Sequence, residues 1–156
     1  MPMELNEQYN LVTSSRHVLF DYCETISEKD FVIENSSFGR GSIRNLLVHI
    51  GNTYEYWIGR QGLNLEINFT AYRAVENAWQ AKKFFVTIDA LVNTFFEHYS
   101  NAFLEDLTVE INNQTIRASP LKLFTHVITH EFHHKGQILS LSRHLGYSPI
   151  DTDIIR

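Results

Sequence analysis

The feature that most constrains the fold is a long amphipathic segment between Ser119 and Gly146, which predicts a single long helix. Serine is a favoured N-cap, proline (here Pro120) fits the first helical position, and glycine often follows the last one. One apolar stripe follows this helix, formed by Leu123, Val127, Ile138, Leu141 and Leu145. His130 and His134 lie inside that stripe, where leucine would be expected. The fold must therefore pack this helix against others and satisfy two imidazoles inside the interface.

Three further segments have helical periodicity. Apolar residues recur at helical spacing over residues 4–26, which predicts a first helix. Ser42 is a good N-cap for a second helix that runs to about residue 60. Thr87, with Asp89 close behind it, predicts the start of a third main helix. With the last helix, these make four long amphipathic helices in 156 residues, which indicates an all-α four-helix bundle and a single domain over residues 1–156.

The connections between these helices add two expectations. Within residues 61–86, "LNLEINFT" alternates weakly and "AYRAVENAWQAKKF" could form a short helix. This connection is long enough for a crossover, so a simple up-down-up-down order is not required. Residues 107–119, "LTVEINNQTIRAS", alternate β-branched side chains around Asn112 and Asn113. That pattern predicts a small β-hairpin just before the last helix.

Composition excludes several classes of protein. A net charge of -5 argues against a nucleic-acid partner, because phosphate binding needs a concentrated basic face. Cys23 is the only cysteine, so no internal disulfide can form, and we expect it to pack in the core rather than act as a nucleophile. The sequence shows neither a signal peptide nor an apolar segment of about 20 residues. A cytoplasmic protein without a membrane partner is therefore the expectation.

The two histidines of the last helix favour a metal site. Residues four apart on a helix face the same way, so one ion can satisfy both His130 and His134. The alternative is a pair of hydrogen-bonded core histidines. With one cysteine, a closed structural zinc site is disfavoured, and an open site with three protein ligands is the better expectation. The third ligand must come from another helix, where His17, His49, His98 or a carboxylate could supply it, and helical periodicity favours His49 only slightly.

His130, Glu131 and His134 also match the His-Glu-x-x-His pattern of zinc proteases. The extended form of that pattern fails, because Gln137 and Ser140 stand where a glycine and a third histidine are required. No glutamate follows His134 to serve as a third ligand, and the sequence has no sheet that could hold a peptide. Glu131 is expected to be a partly exposed helix carboxylate. The protease interpretation is therefore rejected.

Two segments together resemble a known family. "GSIRNLLVHIGNTYEYWIGR" and, downstream, "HVITHEFHHKGQILSLSRHLG" are similar to the DinB/YfiT-like superfamily of metal-dependent four-helix bundles. The resemblance implies an up-down-down-up order of helices and a divalent metal, zinc or nickel, held by His49, His130 and His134. Family members usually have arginine where this chain has Lys135. The charge is kept there, but any bidentate contact made by the arginine is lost.

The resemblance also implies an activity. Members are similar to S-transferases that conjugate a low-molecular-weight thiol, such as bacillithiol, mycothiol or glutathione, to an electrophile. We expect such an enzyme here, acting on a small molecule as a homodimer, with Tyr56, Gln137 and His126 orienting substrate or ligands. The first alternative is a metal-dependent hydrolase at the same site, with Glu131 or His133 as base. The second is a non-enzymatic bundle that acts as a binding or dimerisation module.

Overall fold

The computed structural model describes residues 2–156, and these contain five α-helices and one two-stranded antiparallel sheet. The elements are α1 (Pro2–Cys23), α2 (Glu28–Val32), α3 (Ile43–Tyr54), α4 (Ala78–His98), β1 (Leu107–Ile111), β2 (Gln114–Ala118) and α5 (Pro120–His144). The chain leaves α3 as a π-helix over Glu55–Gly62, and a 3-10 turn at Tyr72–Ala74 precedes α4. The predicted helical class is confirmed, whereas the up-down-down-up order stays a prediction.

Side-chain caps set the helix boundaries that the sequence predicted. The Ser42 hydroxyl accepts a hydrogen bond from the Asn45 backbone N–H at 3.0 Å and begins α3. The Ser119 hydroxyl accepts one from the Lys122 N–H at 3.2 Å and begins α5. Gly146 follows α5 with a φ of 97°, a conformation that glycine adopts without strain. Both ends of α5 are therefore confirmed.

The predicted start of the third main helix is wrong. This helix, α4, begins at Ala78, where the Asn77 side chain accepts a hydrogen bond from the Gln80 N–H at 3.0 Å. Thr87 lies in the middle of α4, and its hydroxyl donates to the Phe84 carbonyl at 2.6 Å. Asparagine caps a helix as well as threonine does. In the first turns of α4 the buried residues are the small Ala78 and Ala81, whereas the large apolar Trp79 is exposed, so hydrophobicity marks the helical period there only weakly.

The second predicted helix is present over its full length but changes type halfway. After Tyr54 the turns widen into a π-helix, in which Leu63 N–H bonds to the Ile58 carbonyl at 3.0 Å. A Cβ atom on Gly62 would lie 2.7 Å from the Phe95 ring, so glycine is needed where the π-helix approaches α4. The Tyr99 hydroxyl also donates to the Gly62 carbonyl. The π-helix is thus fixed against α4.

The predicted hairpin is confirmed and is fastened to the π-helix. Asn112 and Asn113 have φ values of 49° and 62°, the positive values that a tight two-residue hairpin turn requires. The Tyr56 hydroxyl donates to the Glu110 carbonyl at 3.1 Å. The Gln61 side chain bonds to both the carbonyl and the N–H of Glu110, each at 3.0 Å. Tyr56 therefore positions the hairpin.

Aromatic side chains fill the core between the helices. The ring centroids of Phe96 and Phe124 are 4.9 Å apart, and Phe103 packs 5.9 Å from Phe96. Such edge-to-face pairs add to the free energy gained from burying apolar surface. Of the helices in residues 2–156, none combines the length and the apolar composition needed to cross a bilayer.

The start of α4 can be tested by removing its cap. Asn77→Ala leaves the Gln80 N–H in the first turn of α4 without its acceptor and is expected to cost about 1 kcal/mol of unfolding free energy. Urea denaturation followed by circular dichroism measures the change. Thr87→Ala is the control and should lie within about 0.5 kcal/mol of wild type. If Thr87→Ala costs more than Asn77→Ala, the cap is at Thr87.

Candidate metal centre

Three histidine side chains from two helices converge between α3 and α5. His49 lies in the middle of α3, and His130 and His134 lie on successive turns of α5. The Nε2 atom of His130 is 3.2 Å from Nε2 of His49 and 3.0 Å from Nε2 of His134. One ring nitrogen of each lies within 4.8 Å of the others. Tetrahedral zinc separates its nitrogen ligands by roughly 3.3 Å, so this histidine cluster fits such an ion.

Hydrogen bonds among the three rings satisfy them poorly. A neutral imidazole nitrogen either donates one hydrogen or accepts one. His130 Nε2 faces two other Nε2 atoms and can make only one good hydrogen bond with them. Its Nδ1 is buried without a partner among residues 2–156. The arrangement fits a metal ion, which takes a lone pair from each ring, better than it fits a pair of hydrogen-bonded core histidines.

The electrostatics of the cluster keep all three rings neutral. Burial and, to a lesser extent, the neighbouring histidines lower the pKa of His130 to about 3. Burial lowers the pKa of His49 to about 4, with the charge of Arg40 acting in the same direction. Burial also lowers the pKa of His134. Metal ligands must be deprotonated, so the lone pairs are available at neutral pH.

Gln137 orients one of the three rings. Its Oε1 atom lies 2.7 Å from Nδ1 of His134. With Nδ1–H donating to the amide oxygen, the Nε2 lone pair of His134 is directed toward the other two histidines. The Gln137 amide nitrogen lies 3.4 Å from Nε2 of the exposed His133. Gln137 therefore connects the cluster to a titratable side chain at the protein surface.

The remaining histidines lie outside the cluster. His17 is exposed on α1 and His98 is exposed at the end of α4, and neither joins the group that could hold an ion. His126 lies one turn before His130, with ring centroids 6.0 Å apart. The His126 ring also contacts Trp57 at 5.1 Å. Of the candidates for third ligand, the structure thus brings His49 to the pair.

Cys23 is buried in the core and is 1% exposed. Burial raises the pKa of its thiol to about 12, so the thiolate is scarce at neutral pH. This environment agrees with a packing role rather than a nucleophilic one.

The expectation that Glu131 is partly exposed is wrong, because its side chain is 1% exposed. Its two oxygens accept hydrogen bonds from Arg16 Nε at 2.8 Å and Arg16 Nη2 at 2.9 Å. The Tyr54 hydroxyl donates a third at 2.6 Å. Burial opposes ionisation, but the charge of Arg16 and these hydrogen bonds outweigh it and lower the pKa of Glu131. A carboxylate engaged in this way is a poor general base.

Arg16 extends this contact to α4. Its Nη1 atom donates to Asp89 Oδ1 at 2.6 Å, and the Tyr9 hydroxyl donates to the same oxygen at 2.7 Å. Arg16 is 2% exposed, so its charge is neutralised by protein groups rather than by water. The buried pair of Arg16 and Glu131 joins side chains from α1, α3, α4 and α5.

Lys135 completes the buried polar network. Its Nζ atom donates to the Ser15 hydroxyl at 2.8 Å and lies 3.5 Å from Glu131 Oε1. Ser15 in turn donates to the Thr152 carbonyl in the C-terminal segment. The Lys135 ammonium group makes one contact to Ser15 and one to Glu131. The bidentate contact to Glu131 is made by Arg16 instead.

Sequence reasoning missed Arg40, which lies beside the cluster. Its Nη2 atom is 3.4 Å from Nε2 of His49, and the side chain is exposed. The Asn45 side chain holds the loop by donating to the Arg40 carbonyl at 2.8 Å. Its signal in the sequence is weak, namely a lone arginine between two glycines just before a helix. Arg40 gives the cluster a positive group at its solvent side, suited to an anionic part of a substrate.

The sequence matches a known protein family. The model of the DinB family matches residues 1–156, the whole chain. Curated proteins provided no match to the sequence.

The buried ion pair predicts a large effect of one isosteric change. Glu131→Gln leaves Asp89 as the one carboxylate against the buried charges of Arg16 and Lys135, which creates an excess buried positive charge, and is expected to cost roughly 3–5 kcal/mol of unfolding free energy. Urea denaturation of metal-free protein measures the loss separately from any effect of a metal. Glu97→Gln, on the exposed face of α4, is the matched control and should change stability by less than about 0.5 kcal/mol. Equal stability of the two variants would contradict a structural role for Glu131.

Proposed function

This chain belongs to the DinB family, and on that premise we propose that it is an enzyme whose His49, His130 and His134 hold zinc or nickel. The observation that carries the proposal is the convergence of three neutral imidazole nitrogens within 4.8 Å. Three protein ligands leave a coordination position free for a substrate, as in catalytic sites. A divalent ion held there would lower the pKa of a bound thiol or water.

The reaction that we propose is conjugation of a low-molecular-weight thiol to an electrophile. The thiol gives its proton to solvent, its sulfur forms a bond to an electrophilic carbon, and the leaving group departs with its bonding electrons. This reaction needs no general base on the protein, in agreement with the engagement of both Glu131 oxygens by Arg16 and Tyr54. Arg40 would bind a carboxylate of the thiol, since its guanidinium group lies beside His49.

Hydrolysis at the same histidines is the second candidate. The observation in its favour is His133, whose exposed ring lies 4.8 Å from the His134 ring between centroids. His133 could take a proton from water. Glu131 is poorly suited to act as the base because it is buried in an ion pair with Arg16.

We also propose that the protein acts on a small molecule as a cytoplasmic homodimer with an up-down-down-up bundle. In support of that order, His49 lies beside His130 and Trp57 lies beside His126. These pairs occur in opposite sequence order on the two helical segments. The segment that contains His49 and Trp57 therefore runs antiparallel to α5, as an up-down-down-up bundle requires of its second and fourth helices.

Metal binding can be tested on protein purified without a histidine tag. Elemental analysis is expected to find one equivalent of zinc or nickel per chain, and less than a tenth of that in His130→Ala, because two imidazoles bind weakly. His133→Ala is the matched control and should keep its metal, since that ring is exposed and lies outside the cluster. Metal content that is low in wild type, or unchanged in His130→Ala, would end the metal-enzyme proposal.

The reaction can be tested by assaying thiol conjugation beside ester and amide hydrolysis. We expect conjugation that depends on the thiol, with Arg40→Ala raising KM for a carboxylate-bearing thiol about tenfold or more and leaving kcat little changed. Arg60→Ala, an exposed arginine of the π-helix, is the control. Hydrolysis that proceeds without any thiol would favour the second candidate instead.

A further inference from the structure

An apolar cavity lies next to the histidine cluster, between the hairpin, the π-helix and the start of α5. Its volume is about 150 Å³. The apolar side chains that line it are Trp57, Val109, Ile111, Ile116, Ala118 and Leu123. A cavity of about this size is large enough to hold a molecule such as benzene. The space therefore suits one aromatic ring or a short branched alkyl group.

The hairpin presents one apolar face to this cavity. Alternate residues of a strand point to the same side, and Val109 pairs with Ile116 in the antiparallel register. Neighbouring positions such as Thr115 and Arg117 are exposed. Since the Glu110 backbone is hydrogen-bonded to Tyr56 and Gln61 of the π-helix, the hairpin bounds the cavity in a defined position. The cavity is thus part of the fold and requires no rearrangement to form.

His126 connects the cavity to the histidine cluster. It lines the cavity, its ring is 5.1 Å from Trp57, and it is 6.0 Å from the ring of His130. One imidazole therefore separates a group in the cavity from a proposed metal ligand. The only charged side chain in the lining is Lys122, which is exposed.

We propose that this cavity binds the apolar part of the electrophilic substrate, one aromatic ring or short alkyl group, while the reacting carbon lies at the histidine cluster. The inference rests on the proposed function. Low-molecular-weight thiols are polar and would lose hydrogen bonds to water in an apolar cavity. Arg40 instead offers them a charged contact beside His49. The two substrates thus approach the cluster from different sides, with selectivity among electrophiles set by the hairpin.

Binding is tested with benzene as the probe and Trp57 as the reporter. The chain has two tryptophans, and Trp79 is 56% exposed and lies outside this cavity, so Trp79→Phe isolates the Trp57 signal. We expect a saturable change in Trp57 emission. Ala118→Leu fills part of the cavity and should weaken benzene binding at least tenfold. Thr115→Leu adds a similar volume to the exposed face and should leave binding unchanged.

A non-saturable response, or equal binding by the two leucine variants, would overturn the inference. Circular dichroism establishes that Ala118→Leu remains folded. Ile116→Ala guards against misfolding of that variant, because it enlarges the cavity and is expected to shift preference from benzene to naphthalene. No shift in a folded Ile116→Ala protein would also count against the cavity as the binding site.

The substrate assignment is tested with a 3-phenylpropyl halide, whose three-carbon chain can extend past His126, and a methyl halide as paired electrophiles on metal-loaded protein. Ala118→Leu should raise KM at least tenfold for the phenylpropyl compound and leave turnover of the methyl compound unchanged. Equal effects on both would overturn the inference while leaving thiol conjugation, and so the proposed function, intact. Benzene binding by protein that takes up no metal would overturn the proposed function and the substrate assignment, but would support an apolar-ligand site.

Discussion

Arg16 of α1 and Glu131 of α5 form a bidentate ion pair in the interior. Tyr54 of α3 donates to the same carboxylate, and Asp89 of α4 accepts from the same guanidinium group. Burying these charges is costly unless every partner is present, so the four long helices are held in one mutual arrangement. The pair also sets the rotation of α5. Because successive helical residues differ by about 100°, directing Glu131 into the interior toward α1 directs the adjacent His130 toward α3.

The His-Glu-x-x-His pattern therefore has a division of roles unlike that of a protease. The two histidines supply nitrogens to the cluster with His49, while the glutamate between them keeps the supporting helix in register. The distinction is electrostatic. A catalytic carboxylate must have an oxygen free for a proton, and the Glu131 oxygens are occupied by Arg16 and Tyr54. A shared sequence pattern thus arises here from different physical requirements.

Local signals in the sequence were sufficient for much of the fold and for two of the three clustered histidines. The caps at Ser42 and Ser119, the Asn112–Asn113 turn and the His130–His134 pair all depend on residues close in sequence. Contacts between distant residues were not predictable in this way: Glu131 was misjudged because its partner, Arg16, is 115 positions away. A helical wheel describes one helix and contains no information about what the neighbouring helix contributes. His49 needed the family resemblance for the same reason.

The poorly satisfied nitrogens of the histidine cluster have a consequence for the amount of protein in a cell. An ion that binds the folded chain and not the unfolded one stabilises the fold by RT ln(1 + [M]/Kd), which is about 2.7 kcal/mol at a hundredfold excess over Kd. Differences of 1–2 kcal/mol are enough to alter steady-state abundance several-fold through proteolysis of unfolded chains. Should His49, His130 and His134 hold a metal, its supply would govern how long each molecule survives as well as what it can do.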